Sequence, residues 1–263
     1  MLDFGFYNMD CLEGMKQFPD KYFDLAVVDP PYGAGFTEGG GCKGWFSKYH
    51  QDPVQSDKLT GGGYNRFGNP GSRFERYKRF EDGRDLGGKV RKKIIAWDTA
   101  PGKEYFDELF RVSRNQIIWG GNYFNLPPTR CFLVWRKLTI SENFSMAMCE
   151  YAWTSFNGNA KLFEYAPQGH GENRWHPTAK PVALYEWVLG RFAKDGDTIL
   201  DTHVGSASSL VACHRTGHKY VGFEIDADYY AKAKERLDRE TAQTTMFDFT
   251  QKEEWEEITF DGT

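Results

Sequence analysis

The chain has 263 residues, 40% of them hydrophobic and 27% charged, so it can bury a sizeable core and is not disordered throughout. No apolar run approaches the roughly 20 residues that cross a bilayer, and the opening MLDFGFYNMD lacks the basic-then-apolar pattern of a signal peptide. The five cysteines are scattered with no C-x-x-C pair and the six histidines have no ligand spacing, which predicts a cytoplasmic protein with free thiols and no metal site.

The formal net charge of −4 is unevenly spread. Residues 33–96 hold 13 Lys and Arg against 7 Asp and Glu, whereas residues 240–263 hold 7 acids against the single Lys252. A basic segment can meet phosphates while an acidic tail offsets the total.

In chain order, Phe23-Asp-Leu-Ala-Val-Val28 is a short apolar run that stops at Asp-Pro-Pro, the pattern of a buried strand ending in a loop. Residues 33–96 follow, rich in Gly, polar and basic residues and without a sustained period. They read as a long functional loop or as a disordered insertion. Glu104 to Val112 has helical spacing. Gln116–Gly120 and Cys131–Trp135 read as core strands with Pro127-Pro128 in the turn between them, and Met148–Trp153 as another. From Phe156 to Trp175 only a short connection is expected. Pro181 suits the first turn of a helix that runs to Phe192. Strand Thr198–Asp201, helix Ser208–Arg215, strand Tyr220–Phe223 and helix Ala227–Leu237 then alternate. That alternation predicts an α/β fold, a mostly parallel sheet with helices on both faces.

Two stretches carry chemistry. The first is Asp29-Pro30-Pro31-Tyr32-Gly33, at a strand end where ligands gather in open α/β sheets. An aromatic amine is a poor nucleophile because its lone pair is delocalised into the ring. The Asp29 carboxylate and Pro30 carbonyl could accept the amino hydrogens and favour a localised lone pair, and Asp29 could disperse developing positive charge. The consecutive prolines, Pro30 and Pro31, stiffen the backbone, and Tyr32 offers a face for a flipped base. Taken alone, the segment fits a proline turn equally well.

The second stretch is Asp201-Thr-His-Val-Gly-Ser-Ala-Ser-Ser209, which closes a strand and opens a helix. Gly205 lets backbone approach a ligand, and Glu224, at the end of the next strand, has the spacing of an acid that takes ribose hydroxyls. The nucleotide could be NAD, although G-x-G-x-x-G is absent. Asp201 could equally be a satisfied cap with no ligand.

Together these features resemble the amino-methylating DNA methyltransferases over most of the chain outside residues 33–96 and the tail. Four segments carry the resemblance: Asn8-Met9-Asp10-Cys11, Asp29-Pro30-Pro31-Tyr32, His176-Pro177-Thr178-Ala179-Lys180-Pro181, and the loop 201–209 with Glu224 after it. The order, with the catalytic motif before the cofactor loop, is similar to the circularly permuted β class. The resemblance implies one Rossmann-like catalytic domain over residues 1–263 that uses S-adenosyl-L-methionine. It implies methylation of adenine N6 at a specific site in double-stranded DNA. It leaves room for a homodimer and a cognate restriction endonuclease.

By the same resemblance, Asp10 and Cys11 lie near the cofactor's adenine. Lys180, Gly205 and Ser206 hold its methionine end, Asp201 lines the pocket there, and Glu224 binds the ribose. Asp29, Pro30, Pro31 and Tyr32 form the catalytic motif. His176 is expected to be structural, because transfer from a sulfonium requires no histidine base. The chain departs from the family at Thr202, His203 and Ala207, which stand where Pro, Phe and a second Gly are usual. Rival readings are N4-cytosine methylation, methylation of RNA or of a protein glutamine, and a catalytically impaired DNA-binding relative. Asp at position 29 favours adenine, since the cytosine enzymes more often carry Ser there. The basic segment 33–96 is the candidate DNA-recognition element.

Overall fold

The computed structural model describes residues 1–33, 99–141, 147–166, 176 and 178–242. The chain divides into two units, Met1–Pro30 with Lys103–Thr263, and Pro31–Gly102. Of the second unit only 31–33 and 99–102 are described, so the basic segment from residue 34 to 96 lies outside the described residues, as does the acidic tail beyond 242.

The first unit is built on one eight-stranded sheet with spatial order β1-β8-β7-β2-β3-β5-β4-β6. The strands are β1 (Gly5–Asn8), β2 (Phe23–Val28), β3 (Ser113–Trp119), β4 (Leu133–Lys137), β5 (Cys149–Thr154), β6 (Lys161–Tyr165), β7 (Thr198–Asp201) and β8 (Lys219–Glu224). Among the described residues, five helices accompany them: α1 (Cys11–Met15), α2 (Lys103–Val112), α3 (Val182–Phe192), α4 (Ser208–Arg215) and α5 (Ala227–Ala242). A 3-10 turn spans Gly121–Tyr123. All neighbouring strands pair parallel except at β5, which runs antiparallel to both β3 and β4.

The alternation of side chains along each strand divides the core between two faces. Leu25, Val27, Ile117, Trp119 and Ile199 face one side, under Leu184, Tyr185, Val188 and Leu189 of α3 and Ala212 and Cys213 of α4. Ala26, Val28, Ile118, Leu200 and Phe223 face the other, under Met15 of α1 and Tyr105, Leu109 and Val112 of α2. Central strands buried on both faces read in sequence as continuous apolar runs, which is why β2 and β3 were legible. A third cluster joins Leu210 and Val211 of α4 to Ala233 and Leu237 of α5.

The expected α/β architecture is therefore observed, with differences at its margins. The short connection expected after Phe156 contains β6, which pairs parallel with β4 and extends the sheet. Its burial pattern is almost wholly exposed, so no apolar run announced it. Pro181 is the N-cap of α3 in an extended conformation, one residue ahead of its expected place in the first turn. Strand β4 is displaced two residues toward the C-terminus of the expected Cys131–Trp135 run.

The order of visits to the sheet sets the site. From β7 the chain steps outward to β8, with β1 beyond it, whereas from β2 it steps the opposite way to β3. The crevice between the carboxyl ends of β7 and β2 is thus a topological switch point, where open α/β sheets hold ligands. The core on which it rests predicts a contrast. Leu200→Ala, at a fully buried position, is expected to cost about 2–5 kcal/mol in equilibrium denaturation. Leu162→Ala on the exposed edge strand is expected to change stability by less than about 0.5 kcal/mol.

Candidate active site

Asp29 follows β2 directly, and Asp201 ends β7 beside it in the sheet. The segment before α3 brings Lys180 to the same end. Its ammonium forms a close ion pair with Asp29 Oδ2 and lies 3.1 Å from Glu150 Oε2. Lys180 is only 6% exposed. Burial alone would push its pKa down, but the carboxylates of Asp29 and Glu150 outweigh it and hold the ammonium above the usual lysine range. The same ammonium sits 5.6 Å from the centre of the Trp119 ring. Glu150 also meets Lys137 of β4, whose Nζ lies 2.6 Å from Oε1. Burial opposes the charge on Glu150, and the two lysines reverse that and lower its pKa.

The loop after β7 is organised by its own carboxylates. Asp201 accepts from the His203 N–H at 3.0 Å, and from the Ser209 hydroxyl in a short hydrogen bond. Burial pushes its carboxyl up to about 7, against the pull of those donors. Glu224 accepts the Gly205 N–H at 3.0 Å and the Asp226 N–H at 2.9 Å, and burial raises its pKa. Gly205 has φ +54°, and a Cβ there would stand 3.0 Å from the imidazole of His176. His176 in turn lies edge-on to Tyr229, with ring centres 4.7 Å apart. Its pKa is lowered to about 4, first by burial and then by the Lys180 charge, so it is a neutral wall of the loop at pH 7.

Ala207 adopts φ +64°, the left-handed conformation that the usual glycine would take without strain. Arg236 of α5 holds this turn from behind, donating to the Ser206 carbonyl at 2.7 Å and to the Ser208 hydroxyl at 3.0 Å. Ser206 itself is buried, its hydroxyl 3.1 Å from that of Ser208.

Thr202 and His203 belong to a polar chain. The Tyr105 hydroxyl lies 2.6 Å from Thr202 Oγ1, which lies 2.9 Å from His203 Nδ1. His203 Nε2 then lies 4.0 Å from Cys11 Sγ. Burial pushes His203 down to about 4 and the Cys11 thiol up to about 12, so both are neutral near pH 7. Asp10 caps α1, accepting from the N–H groups of Leu12 and Glu13 at 2.9 and 3.1 Å.

Asp29, Lys180, Asp201, Gly205, Ser206, Glu224, Asp10 and Cys11 thus all belong to the carboxyl ends of β1, β2, β7 and β8 or to the segments that follow or face them. Pro30 is buried, and Pro31 and Tyr32 are partly buried. Gly33 turns the chain through φ +62°. Glu150, Tyr105 and Arg236 were not singled out from the sequence. Nothing in their local pattern distinguishes a Glu on a strand or an Arg on an exposed-looking helix from a solvated residue.

Asp29 at the end of β2 and the Asp201–Glu224 loop at the ends of β7 and β8 thus share one rim of an α/β sheet. Residues 89–235 match the family model described as DNA methylase, N6_N4_Mtase. The chain is 31% identical over 241 residues to YubD of Escherichia coli (strain K12), assigned by name to the methylases, with 88% of this chain and 89% of YubD covered. It therefore belongs to the N6/N4 DNA methylase family. It is also similar to the type II methyltransferase M.HpaI of Haemophilus parainfluenzae, 42% identical over 65 residues. That match covers 25% of this chain and only 21% of M.HpaI. Among solved structures it is similar to TTHA0409 of Thermus thermophilus complexed with S-adenosyl-L-methionine. There the identity is 18%, the TM-score 0.46, and the coverage 91% of this chain and 96% of that one.

The site's titration makes a prediction. His176 and His203 bind protons more weakly folded than unfolded, so their contribution is complete above about pH 6.5 and is lost as pH falls toward 4. Asp201 has the opposite sign, its contribution fading as pH rises from about 4 to 7. Glu224, also raised by burial, shares the sign of Asp201. A single substitution isolates one group: in His203→Phe the stability change from pH 7 to pH 5 should be less unfavourable than in wild type by roughly 1 kcal/mol, read from denaturation midpoints at the two pH values. In the same loop Gly205→Ala should cost about 1–2 kcal/mol, since it combines a left-handed φ with crowding of His176.

Proposed function

We propose that this protein is an S-adenosyl-L-methionine-dependent DNA methyltransferase that methylates the N6 amine of adenine. The observation that carries the reading is the meeting of Asp29 with Lys180 beside the Asp201–Glu224 loop at one switch point. The order of visits, with the Asp29 loop before the Asp201 loop, supports the permuted β-class arrangement.

The pocket suits that cofactor chemically. Each Glu224 oxygen accepts one backbone N–H and retains lone-pair capacity for vicinal ribose hydroxyls. Gly205 keeps its backbone open where a side chain would collide with His176. Asp10 and Cys11, at the end of β1, border the adenine side, and the turn at Gly205 and Ser206 borders the methionine end. Asp201, both oxygens engaged by its own loop, shapes that end. When bound, S-adenosyl-L-methionine supplies an electrophilic sulfonium methyl group.

The chain's own residues prepare the amine. Asp29 and the Pro30 carbonyl accept its hydrogens, which favours the localised lone pair and offsets the positive charge that develops on nitrogen. Tyr32, three positions beyond Asp29, offers a face on which the extruded base stacks. A proton leaves to solvent after transfer. Lys180 neutralises the half-buried Asp29 carboxylate between turnovers and holds its orientation. Adenine is favoured over cytosine by Asp at position 29. The basic segment 33–96 is proposed to contact the phosphates of double-stranded DNA, on its charge alone.

The test is to incubate the full chain with methylation-free DNA and the cofactor, digest the product and weigh the nucleosides. N6-methyladenine is expected, and N4-methylcytosine as sole product would overturn the adenine assignment. Asp29→Asn should cut transfer by at least about 100-fold. It is a better probe than Asp29→Ala, because the asparagine carbonyl can still accept a hydrogen bond from the Lys180 ammonium, which keeps Glu150 as a charged partner. Transfer at the wild-type rate by Asp29→Asn would sink the mechanism.

A further inference from the structure

The reversed strand β5 brings Glu150, its second residue, to the end of the sheet where the parallel strands present their C-termini. Glu150 pairs in register with Trp135 of β4, next but one to Lys137, and Ala152 pairs with Trp119 of β3. The result is an alternating line of charges, Lys137–Glu150–Lys180–Asp29, drawn from two strands, the segment before α3 and the loop after β2. Lys137 and Lys180 are both buried.

We infer that Glu150 is a positioning residue for methyl transfer, which divides the Lys180 ammonium between two carboxylates and so keeps Asp29 an effective acceptor for the target amine. The inference rests on the proposed amine-binding role of Asp29. A lysine removed from water must be compensated, and with Asp29 as its one carboxylate among the described residues the whole charge of the ammonium would fall on the group that has to receive the substrate. The second carboxylate draws part of that charge away. Lys137 anchors Glu150 by its other oxygen, and so fixes the direction from which it pulls.

Among the described residues the charged and titratable groups around Lys180 are Asp29, Glu150, Tyr185 and the neutral His176, with Lys137 one step further along the line. Loss of Glu150 removes one of the carboxylates that compensate the buried Lys180, so its deprotonation moves down toward the working pH. A residue that merely helped the fold would not produce that displacement.

The experiment compares wild type, Glu150→Gln, Glu150→Asp and Lys137→Gln as full chains. It measures single-turnover transfer from labelled cofactor to methylation-free DNA across pH 6 to 10.5, with cofactor affinity by calorimetry. Glu150→Gln should lose about tenfold in rate at neutral pH while cofactor affinity changes by less than about threefold, and its alkaline limb should move to lower pH. Glu150→Asp should restore part of both. Lys137→Gln leaves Glu150 wholly to Lys180, so its alkaline limb should stay or move up, which also serves if Glu150→Gln does not fold. A wild-type rate and unmoved limb in Glu150→Gln would overturn the inference while wild-type transfer upholds the function. A downward shift in Lys137→Gln would overturn it equally. Absence of transfer by wild type would remove the proposed function and this inference with it.

Discussion

Lys180 and Asp29 stand 151 residues apart in the chain and meet at the end of the sheet. Taking an ammonium and a carboxylate out of water costs several kcal/mol per ion unless each finds its partner in good geometry. The sheet can therefore hold this pair only if the strand ending at Val28 and the segment leading into α3 arrive together. That condition constrains much else. It needs β2 central and buried on both faces, α3 packed over Leu25 and Val27, and β5 reversed so that Glu150 supplies the second carboxylate. An antiparallel strand in an otherwise parallel sheet is here the device that delivers an acidic side chain to the carboxyl-end rim.

The two halves of the site use charge differently. On the Asp29 side, the ion pairs Lys137–Glu150, Glu150–Lys180 and Lys180–Asp29 form a line, and the balance is delicate because removal of any member leaves its neighbours less compensated. On the Asp201 side, the acids are held among the described residues by neutral donors: Asp201 by a backbone N–H and a serine hydroxyl, Glu224 by two backbone N–H groups. Carboxylates held by neutral donors titrate upward on burial, as Asp201 and Glu224 both do. A cationic ligand beside them would meet carboxylates whose partners among the described residues are neutral.

Much of this could be read in the residues beforehand, where burial leaves a periodic trace. Phe23–Val28, Gln116–Trp119 and Thr198–Asp201 are central strands, and their apolar runs are consequences of burial on both faces. The elements that escaped were those whose stability comes from neighbours. Strand β1 has four residues, α1 has five, and β6 buries almost nothing. The site divided in the same way. Residues at strand ends next to Pro or Gly announced themselves, because backbone geometry restricts what can stand there. Glu150 did not, since a glutamate on a half-exposed strand looks solvated until the strand's direction is known. The same holds for Tyr105 and Arg236, which act on the loop at 202–208 from helices distant in sequence.

The departures at Thr202 and His203 raise the question of how a polar pair replaces an apolar one inside a buried loop, and proton counting gives an answer. Thr202 Oγ1 has one hydrogen and two neighbours, the Tyr105 hydroxyl and His203 Nδ1. If Nδ1 carried the imidazole proton, it would donate to Thr202, Thr202 would donate to Tyr105, and the buried phenol would need a further acceptor. If Nε2 carries it, Tyr105 donates to Thr202, Thr202 donates to Nδ1, and every hydrogen in the chain is used. The second arrangement costs less in a buried site. It turns the Nε2–H toward Cys11, on the side where the cofactor's adenine is expected to lie. His203 then keeps the flat ring that the loop requires and adds one fixed donor at its edge. The loop can thus replace its usual proline and phenylalanine with a polar pair whose hydrogen bonds are met, starting from Tyr105 on α2.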